Sequence, residues 1–428
     1  MTYDEAVEYL YNSVPLFQNL GSGAYKEGLS TTLLLDEHFG HPHLAYKTIH
    51  IGGTNGKGSC SHTIAAILQE AGYKVGLYTS PHLIDFRERI RINGKMIPQE
   101  RVVSFVKDER SFFEPLHPSF FELTTALAFK YFAEQKVDIA VIEVGLGGRL
   151  DCTNIISPTL SLITNISFDH VQFLGDTLEK IAYEKAGIIK NNIPIIIGET
   201  TEETKPVFVT VAKEKQAKIR FANEEKEILG HKRTASGLCY NTKHYGTIEA
   251  TLSGECQIKN TATIICAVDE LISHGFQINE NHIKNGFSKV CELTNLQGRW
   301  QKIAHKPTII CDTGHNVAGI EYIVKQLKEQ EAKQLHIVMG MVNDKDINKV
   351  LSLLPPSAHY YFTKASVKRA LNENELSILA SHHGLTGCTY KDVPSAYKEA
   401  IKNAHEDDLI FIGGSTFIVA DFLAFLGR

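Results

Sequence analysis

Short apolar runs rich in β-branched residues alternate along this chain with longer stretches of helical periodicity. Five runs in the first half predict strands that are buried on both faces: 48–51, 75–79, 139–144, 160–164 and 195–198. The longer stretches between them, such as 120–134 and 178–188, predict helices. Strands that alternate with helices in this way indicate a parallel, doubly wound sheet, whose ligands gather at the carboxyl ends of the strands.

The pattern changes twice farther along the chain. Residues 218–258 are polar and rich in turn residues, which predicts a short antiparallel appendage, and helices are predicted at 260–274 and 281–290. After the polar segment 294–300 a second alternation begins, with predicted strands at 308–311, 336–339, 360–363 and 409–412. We therefore predict two α/β domains, residues 1–295 and 296–428, of which the second is a smaller Rossmann-like unit.

Composition is that of an ordinary globular protein. The 428 residues are 43% hydrophobic and 22% charged with a net charge of −5, so no basic excess points to nucleic acid. The eight cysteines are scattered without a C-x-x-C pair, which is typical of reduced thiols. No apolar run reaches the length of a membrane span, and Met1–Glu5 lacks the features of a signal peptide. We expect a cytoplasmic protein without a membrane partner.

Residues 50–59 carry the first strand into a glycine-rich turn with one lysine and one hydroxyl. The glycines let backbone N–H groups converge on an anion, Lys57 can reach terminal phosphates, and Ser59 can bind the accompanying Mg²⁺. The stretch 62–71 predicts the helix whose positive end faces the nucleotide. The spacing departs from the usual P-loop because Ile51 stands where a glycine is expected. A glycine-rich hairpin is the simpler alternative, but it needs neither Lys57 nor Ser59.

Two other strand ends carry polar side chains. Glu143 precedes a flexible glycine loop and is a natural second ligand for Mg²⁺, although a turn that caps the strand explains it too. His170 lies in the polar segment 164–170 and could complete a metal site. Histidine is an uncommon ligand of Mg²⁺, so an ordinary hydrogen-bonded side chain is the alternative.

Lys185 lies in the mostly apolar stretch 181–189, where a lysine is costly to bury unless it is paired or chemically modified. Exposure of its end to solvent, or a salt bridge, is the simpler explanation. Asp312 and His315 follow another buried strand, where a helix cap is the alternative. Arg299, between the domains, could reach a phosphate or could cover the interface.

Taken in order, these segments resemble the folylpolyglutamate synthase and dihydrofolate synthase branch of the Mur ligase superfamily. The matching segments are 53–59, 79–83, 121–124, 143–151, 184–188 and 298–300. The resemblance covers nearly the whole chain and implies a P-loop domain with a doubly wound, mostly parallel sheet, followed by the smaller α/β domain.

The resemblance also implies roles for individual residues. Catalysis would depend on Lys57, Glu143, His170 and Lys185. Mg²⁺ would be held by Ser59, Ser80, Glu143, His170 and a carbamylated Lys185. ATP would be bound by Thr54, Asn55, Gly56, Lys57, Gly58, Ser59, Asn260, Arg299, Asp312 and His315. The pterin substrate would lie near Gly28, Leu29, Pro81, His82, Leu83, Phe121, Glu122, Leu150, Asp151 and Cys152.

Two positions depart from the usual family pattern. Residues 312–316 read Asp-Thr-Gly-His-Asn where the family commonly has Asp-Gly-Ala-His-Asn. Cys256 stands where a histidine usually precedes the glutamine at position 257. The first departure keeps its Asp and His, whereas the second bears on the surroundings of Asn260.

We therefore expect an ATP-dependent amide ligase that activates a pterin-bearing carboxylate as an acyl phosphate and joins it to L-glutamate. The acceptor is dihydropteroate, a reduced folate that already carries glutamate, or both, and a monomer is the family default. The alternatives are a ligase for cell-wall precursors and a phosphotransferase that stops after the first step. A nucleotide-dependent switch is disfavoured because the one Asn-Lys pair, at 348–349, is not part of a guanine-reading Asn-Lys-x-Asp motif.

Overall fold

The predicted alternation of strands and helices is present in the computed structural model, which describes residues 1–12, 28–343 and 346–427. The chain divides into two units. The first contains Met1–Thr251 and Cys256–Leu296, and the second contains Leu252–Glu255 and Gln297–Arg428.

An eight-stranded sheet forms the centre of the first unit. Its strands are β1 Lys47–Gly52, β2 Val75–Tyr78, β3 Ile90–Ile92, β4 Lys95–Met96, β5 Ile139–Glu143, β6 Leu160–Ile163, β7 Ile195–Ile197 and β8 Ile219–Phe221. The order across the sheet is β4-β3-β2-β5-β1-β6-β7-β8. The strands from β2 to β8 in this order pair in parallel, and β3 and β4 add an antiparallel edge. The predicted fold class is confirmed.

Helices of the first unit cover both faces of this sheet. They are α1 Tyr3–Asn12, α2 Ser30–His38, α3 Lys57–Glu70, α4 Gln99–Phe113, α5 Phe120–Glu134, α6 Val171–Leu174, α7 Leu178–Ala186, α8 Lys205–Glu214, α9 Ala222–Glu225, α10 Gln257–Ser273, α11 Glu280–Ser288 and α12 Val290–Thr294. In β5, Ile139 and Val141 pack into the core that contains α3 and α10, whereas Ala140 and Ile142 pack into the core of α4 and α5. Successive side chains of a strand point to opposite faces, so a strand buried on both faces reads as one apolar run.

The antiparallel appendage is a three-stranded sheet. Its strands are β9 Ile228–Arg233, β10 Leu238–Thr242 and β11 Thr247–Ala250. The appendage starts later than the sequence indicates, because β8 pairs in parallel with β7 and extends the main sheet. Helix α3 starts at Lys57, five residues before the predicted start at 62. Ser59–Leu68 are all buried, so tertiary packing stabilises a polar first turn that the apolar pattern does not reveal.

The second unit has a six-stranded sheet. Its strands are β12 Gln301–His305, β13 Thr308–Cys311, β14 Leu335–Met339, β15 His359–Phe362, β16 Gly387–Thr389 and β17 Leu409–Gly413, in the order β12-β13-β17-β14-β15-β16. Its helices are α13 Val317–Lys328, α14 Ile347–Leu353, α15 Glu373–Ser381, α16 Val393–Asn403 and α17 Thr416–Phe425. Only β12 is antiparallel to its neighbour, and it was not predicted because its residues are partly exposed and polar.

Two further properties concern the whole described chain. The structure describes all eight cysteines; none forms a disulfide bond within the described residues, and four are buried. Within the residues that the structure describes, no helix combines the length and the apolar character needed to cross a bilayer.

Candidate active site

The glycine-rich loop connects β1 to α3, and close contacts on two sides fix its shape. Gly53 and Gly56 have left-handed backbones with φ of 133° and 85°. A Cβ atom at Gly56 would lie 2.4 Å from Oδ1 of Asn260, and one at Gly53 would lie 1.9 Å from Oγ1 of Thr164. Only glycine fits these two positions, because any side chain would collide and would also strain the backbone.

A second loop, after β6, holds the glycine-rich loop in place. The N–H of Thr54 donates to the Asn165 carbonyl at 2.9 Å, and the N–H of Asn55 donates to Asn165 Oδ1 at 3.0 Å. Thr164 Oγ1 donates to the Asn55 carbonyl at 2.6 Å. These hydrogen bonds fix the loop backbone before any ligand binds, which is how an anion site is preorganised.

Two lysines converge on one carbonyl of this loop. Lys57 Nζ donates to the carbonyls of Gly53 at 3.0 Å and Thr54 at 3.1 Å, and Lys185 Nζ donates to Gly53 at 2.9 Å. Lys185 is 4% exposed. Burial, together with the charge of Lys57, lowers the pKa of Lys185 to about 7. A large fraction of the Lys185 amine is therefore neutral near physiological pH.

Ser59 belongs to a chain of buried polar side chains. Gln257 Nε2 donates to Ser59 Oγ at 3.1 Å, and Asn260 Nδ2 donates to Gln257 Oε1 at 3.0 Å. The structure thus brings the predicted residue Asn260 to the glycine-rich loop. Gln257 was not among the predicted site residues. Its position three residues before Asn260, on the same face of α10, is the signal that could have identified it.

Glu143 and Ser80 meet at the same edge of the sheet. Ile51 is the register partner of Glu143, so the carboxylate lies beside the start of the glycine-rich loop, and it is 3% exposed. The N–H of Ser80 donates to Glu143 Oε2 at 3.4 Å. His170 precedes α6 and its side chain is 25% exposed, with Nε2 3.9 Å from Asp169 Oδ1. Among the described residues, no three His, Cys, Asp or Glu side chains are placed to hold a metal ion.

Of the predicted pterin residues after β5, Asp151 is buried, whereas Leu150 and Cys152 on either side of it are half-buried. Asp151 accepts hydrogen bonds from the N–H groups of Leu146 at 2.8 Å and Thr153 at 3.0 Å, and burial raises its pKa. Burial, with the nearby carboxylates of Asp151 and Glu122, raises the pKa of the Cys152 thiol well above its ordinary value.

Glu122 and Phe121 lie in the first turn of α5. Glu122 is 2% exposed, and its carboxylate accepts the N–H of Ser119 at 2.6 Å in a capping box. The ring of Phe121 lies over Gly145, where a Cβ atom would be 2.4 Å from the ring. Glu122 therefore has a structural partner that accounts for its burial.

The other predicted pterin residues lie on two segments. Gly28 has φ of 100°, and the Leu29 carbonyl accepts the N–H of Leu33 at the start of α2. Pro81 follows a cis peptide bond, and the N–H of Leu83 donates to Glu88 Oε2 at 2.9 Å.

His82 lies between a phenol and a guanidinium. Its Nε2 is 2.9 Å from the hydroxyl of Tyr11, and its Nδ1 accepts from Nε of Arg89 at 2.8 Å. Burial and the charge of Arg89 hold the pKa of His82 well below its ordinary value. The imidazole is therefore neutral, with the proton on Nε2.

Arg299, Asp312 and His315 belong to the second unit. Asp312 Oδ2 accepts the N–H of Trp300, and Oδ1 accepts the N–H of Gly314, both at 2.7 Å. Burial raises the pKa of Asp312. His315 Nδ1 lies 3.0 Å from the carbonyl of Thr313. A helix cap was the alternative explanation of this segment, and it is also present, because Asn316 caps α13.

Comparison with known proteins identifies the family. Residues 51–268 match the Mur ligase middle domain, and residues 298–416 match the glutamate ligase domain of the Mur ligases. The protein from Bacillus subtilis (strain 168) named dihydrofolate synthase/folylpolyglutamate synthase is 33% identical over 413 residues, which are 92% of this chain and 94% of that protein. The chain belongs to the dihydrofolate synthase/folylpolyglutamate synthase branch of the Mur ligase family.

Solved structures of this branch have the same fold. The structure titled "E.coli FolC in complex with DHPP and ADP" has a TM-score of 0.86 and 29% identity, covering 100% of this chain and 98% of that chain. The Yersinia pestis bifunctional enzyme, solved with AMPPNP and a Mn ion, has a TM-score of 0.83 and 27% identity, again covering 100% and 98%.

The two departures from the family pattern have distinct surroundings. Cys256 directly precedes α10. Burial raises the pKa of the Cys60 thiol, and the nearby Cys256 adds to that shift. Thr313 is 6% exposed, and its hydroxyl contacts Gly298 and Arg299. The departure at Thr313 thus places a hydroxyl against Arg299, one of the predicted ATP-binding residues.

Proposed function

We propose that this protein is an ATP-dependent ligase that joins L-glutamate to dihydropteroate and to (poly)glutamyl tetrahydrofolate. The observation that carries the proposal is the convergence of Lys57 and Lys185 on the carbonyl of Gly53, at 3.0 and 2.9 Å, in a loop rich in glycine. Membership of the dihydrofolate synthase/folylpolyglutamate synthase branch supports the same activity.

The reaction takes place in two steps. The carboxylate of the acceptor attacks the γ-phosphate of ATP, which gives an acyl phosphate and ADP. The amine of L-glutamate then attacks the acyl carbon, loses a proton and displaces inorganic phosphate, which leaves an amide. Two accessible steps replace one difficult step, because a carboxylate has no good leaving group at neutral pH. Lys57 and the N–H groups of the loop neutralise charge on the phosphates during transfer.

The oxygen donors of the first unit fit Mg²⁺. Ser59 and Ser80 supply hydroxyls and Glu143 a buried carboxylate, all donors that this ion prefers, whereas His170 is a less usual ligand. When bound, Mg²⁺ neutralises charge on the β- and γ-phosphates. The Yersinia pestis relative that holds AMPPNP and Mn supports a divalent ion in this family.

Lys185 fits the ion only after modification, because an ammonium group repels a cation. Its neutral amine can add to CO₂ and release a proton, which gives a carbamate with two oxygen donors. The lowered pKa of Lys185, about 7, makes the reactive neutral amine available. We therefore include a carbamylated Lys185 among the proposed ligands.

The proposal gives the two units different roles. The first unit, corresponding to the predicted domain 1–295, binds Mg·ATP and the pterin, and the second, predicted as 296–428, is the ligase domain. ATP is assigned to residues 54–59 and to Asn260, Arg299, Asp312 and His315. The pterin is assigned to 28–29, 81–83, 121–122 and 150–152. The enzyme is proposed to be monomeric and cytoplasmic.

The test is ADP release by the purified protein with Mg·ATP and L-glutamate, with dihydropteroate or tetrahydrofolate as the acceptor. We expect release that depends on glutamate, and a product heavier by one glutamyl unit in mass spectrometry, with both acceptors. ADP release without glutamate would indicate a phosphotransferase. Binding of ATP without turnover of either acceptor would overturn the folate assignment and favour a cell-wall ligase.

A further inference from the structure

The segment that carries Arg299 is folded tightly against the loop after β13. Gly298 and Trp300 both have left-handed backbones, with φ of 71° and 46°, and Arg299 lies between them. This conformation is costly for tryptophan. It is stabilised by the hydrogen bond from the Trp300 N–H to the carboxylate of Asp312 at 2.7 Å. The backbone therefore presents Arg299 in one fixed direction.

A hydroxyl then holds the side chain of Arg299. Thr313 Oγ1 donates to the carbonyl of Gly298 at 3.2 Å and accepts a hydrogen bond from Nη1 of Arg299. Nη1 also donates to the carbonyl of Gly298 at 3.2 Å. The backbone N–H of Thr313 donates to the same carbonyl at 3.0 Å. Gly298, Arg299 and Thr313 thus form a closed ring of hydrogen bonds.

This ring leaves one edge of the guanidinium available. Within the described ranges, Nε and Nη2 of Arg299 make no hydrogen bond, and Arg299 forms no ion pair with a carboxylate. These two groups lie on the same edge of the guanidinium, and that edge can donate two parallel hydrogen bonds to a phosphate. The side chain is half-buried, so it is accessible to a ligand without being freely mobile.

We propose that Thr313 is a positioning residue, whose hydroxyl fixes Arg299 so that its Nε and Nη2 edge faces a phosphate group of the adenine nucleotide. The inference rests on the proposed function, in which Arg299 contacts ATP. An arginine that is ordered before binding loses less conformational entropy when the ligand arrives. Removal of the hydroxyl leaves the charge in place but allows the side chain to rotate, so nucleotide affinity falls.

The test compares Thr313→Val, which keeps the shape and loses the hydroxyl, with Thr313→Ser, which keeps the hydroxyl. ADP binding to the full chain is measured by titration calorimetry. We expect Thr313→Val to weaken ADP binding about tenfold and Thr313→Ser to remain within about twofold of the wild type. In turnover, the KM for ATP should rise in Thr313→Val while kcat changes less than about twofold.

A double-mutant cycle separates positioning from a general structural role. Thr313→Val should have no further effect in an Arg299→Met background, because there is no guanidinium left to orient. An equal loss in both backgrounds, or wild-type affinity in Thr313→Val, would overturn the proposal. Circular dichroism and thermal unfolding of each variant confirm that the chain is folded.

The binding assay also keeps this inference separate from the ligase proposal, because it requires no turnover. If the wild type binds ADP but adds no glutamate to either acceptor, the ligase proposal fails while the role of Thr313 is still decided. If Arg299→Met binds ADP as tightly as the wild type, Arg299 does not contact the nucleotide, and the positioning role of Thr313 is refuted. A wild type that binds no ADP refutes both.

Discussion

Replacing Lys185 by methionine removes a buried cation, and the cost of that cation can be worked out from its pKa. The pKa falls from 10.5 to about 7 on folding, and Lys185 is 4% exposed. At about 1.4 kcal/mol for each pH unit, burial of the charged form costs roughly 5 kcal/mol. Above pH 7 the folded chain releases this proton, whereas the unfolded chain keeps it up to its ordinary pKa of 10.5.

The sign of the pH dependence follows from this difference in bound protons. The cost is fully present below pH 7 and is relieved as the pH rises towards 10.5. The free energy of unfolding of the wild type should therefore rise by about 1.4 kcal/mol per pH unit more than that of Lys185→Met. Between pH 7.5 and 9.5 the free energy of unfolding of the wild type should therefore gain about 3 kcal/mol more than that of Lys185→Met.

The assay is urea denaturation at several pH values in buffers free of CO₂, because a neutral amine reacts with CO₂. Trp300, the only tryptophan, lies in the second unit, so its fluorescence does not report on the unit that contains Lys185. Far-UV circular dichroism, with hydrogen exchange of residues near α7, follows the relevant unit. Lys180→Met is the matched control on the same helix, because its side chain is 62% exposed and its removal should leave the slope unchanged. If the free energy of unfolding changes with pH equally in the wild type and in Lys185→Met, the reasoning is refuted.

Three further predictions concern other parts of the first unit. Gly56→Ala should weaken ADP binding at least about tenfold in calorimetry, because φ of 85° strains alanine and its Cβ would lie 2.4 Å from Asn260. Unchanged affinity would show that the loop can adjust. His50 is fully buried with its pKa lowered to about 3, so the unfolded state alone gains its proton as the pH falls from 6.5. Between pH 6.5 and 5, the free energy of unfolding measured by urea titration should therefore fall by about 2 kcal/mol less in His50→Gln than in the wild type. An equal fall in both proteins would contradict this. Ser119→Ala should lower the free energy of unfolding by about 1 kcal/mol, measured by thermal unfolding, because the capping box of α5 is lost, and unchanged stability would mean that Glu122 alone caps the helix.

The order of elements could be predicted because local sequence fixes it. Each central strand of the first unit is an apolar run between turns, and β5 shows why, since its alternate residues enter two different cores. The elements that were missed lack such a signal. Strand β12 lies at a sheet edge with polar, partly exposed residues, and the start of α3 contains the polar but buried residues Ser59, Ser61 and His62. In both cases the structure depends on packing against other segments of the protein. The local sequence pattern does not contain that information.

The candidate site likewise contains features that the sequence predicts and features that it does not. The glycine-rich loop could be predicted because its glycines, Lys57 and Ser59 are contiguous. Lys185 could be recognised as unusual, since a lysine in the mostly apolar stretch 181–189 needs an explanation. Its partner could not be recognised, because the Gly53 carbonyl lies 132 residues earlier in the chain. The lowered pKa depends on that contact geometry, through burial and the charge of Lys57. A sequence therefore indicates which side chain is anomalous, whereas the cause and the size of the anomaly require the fold.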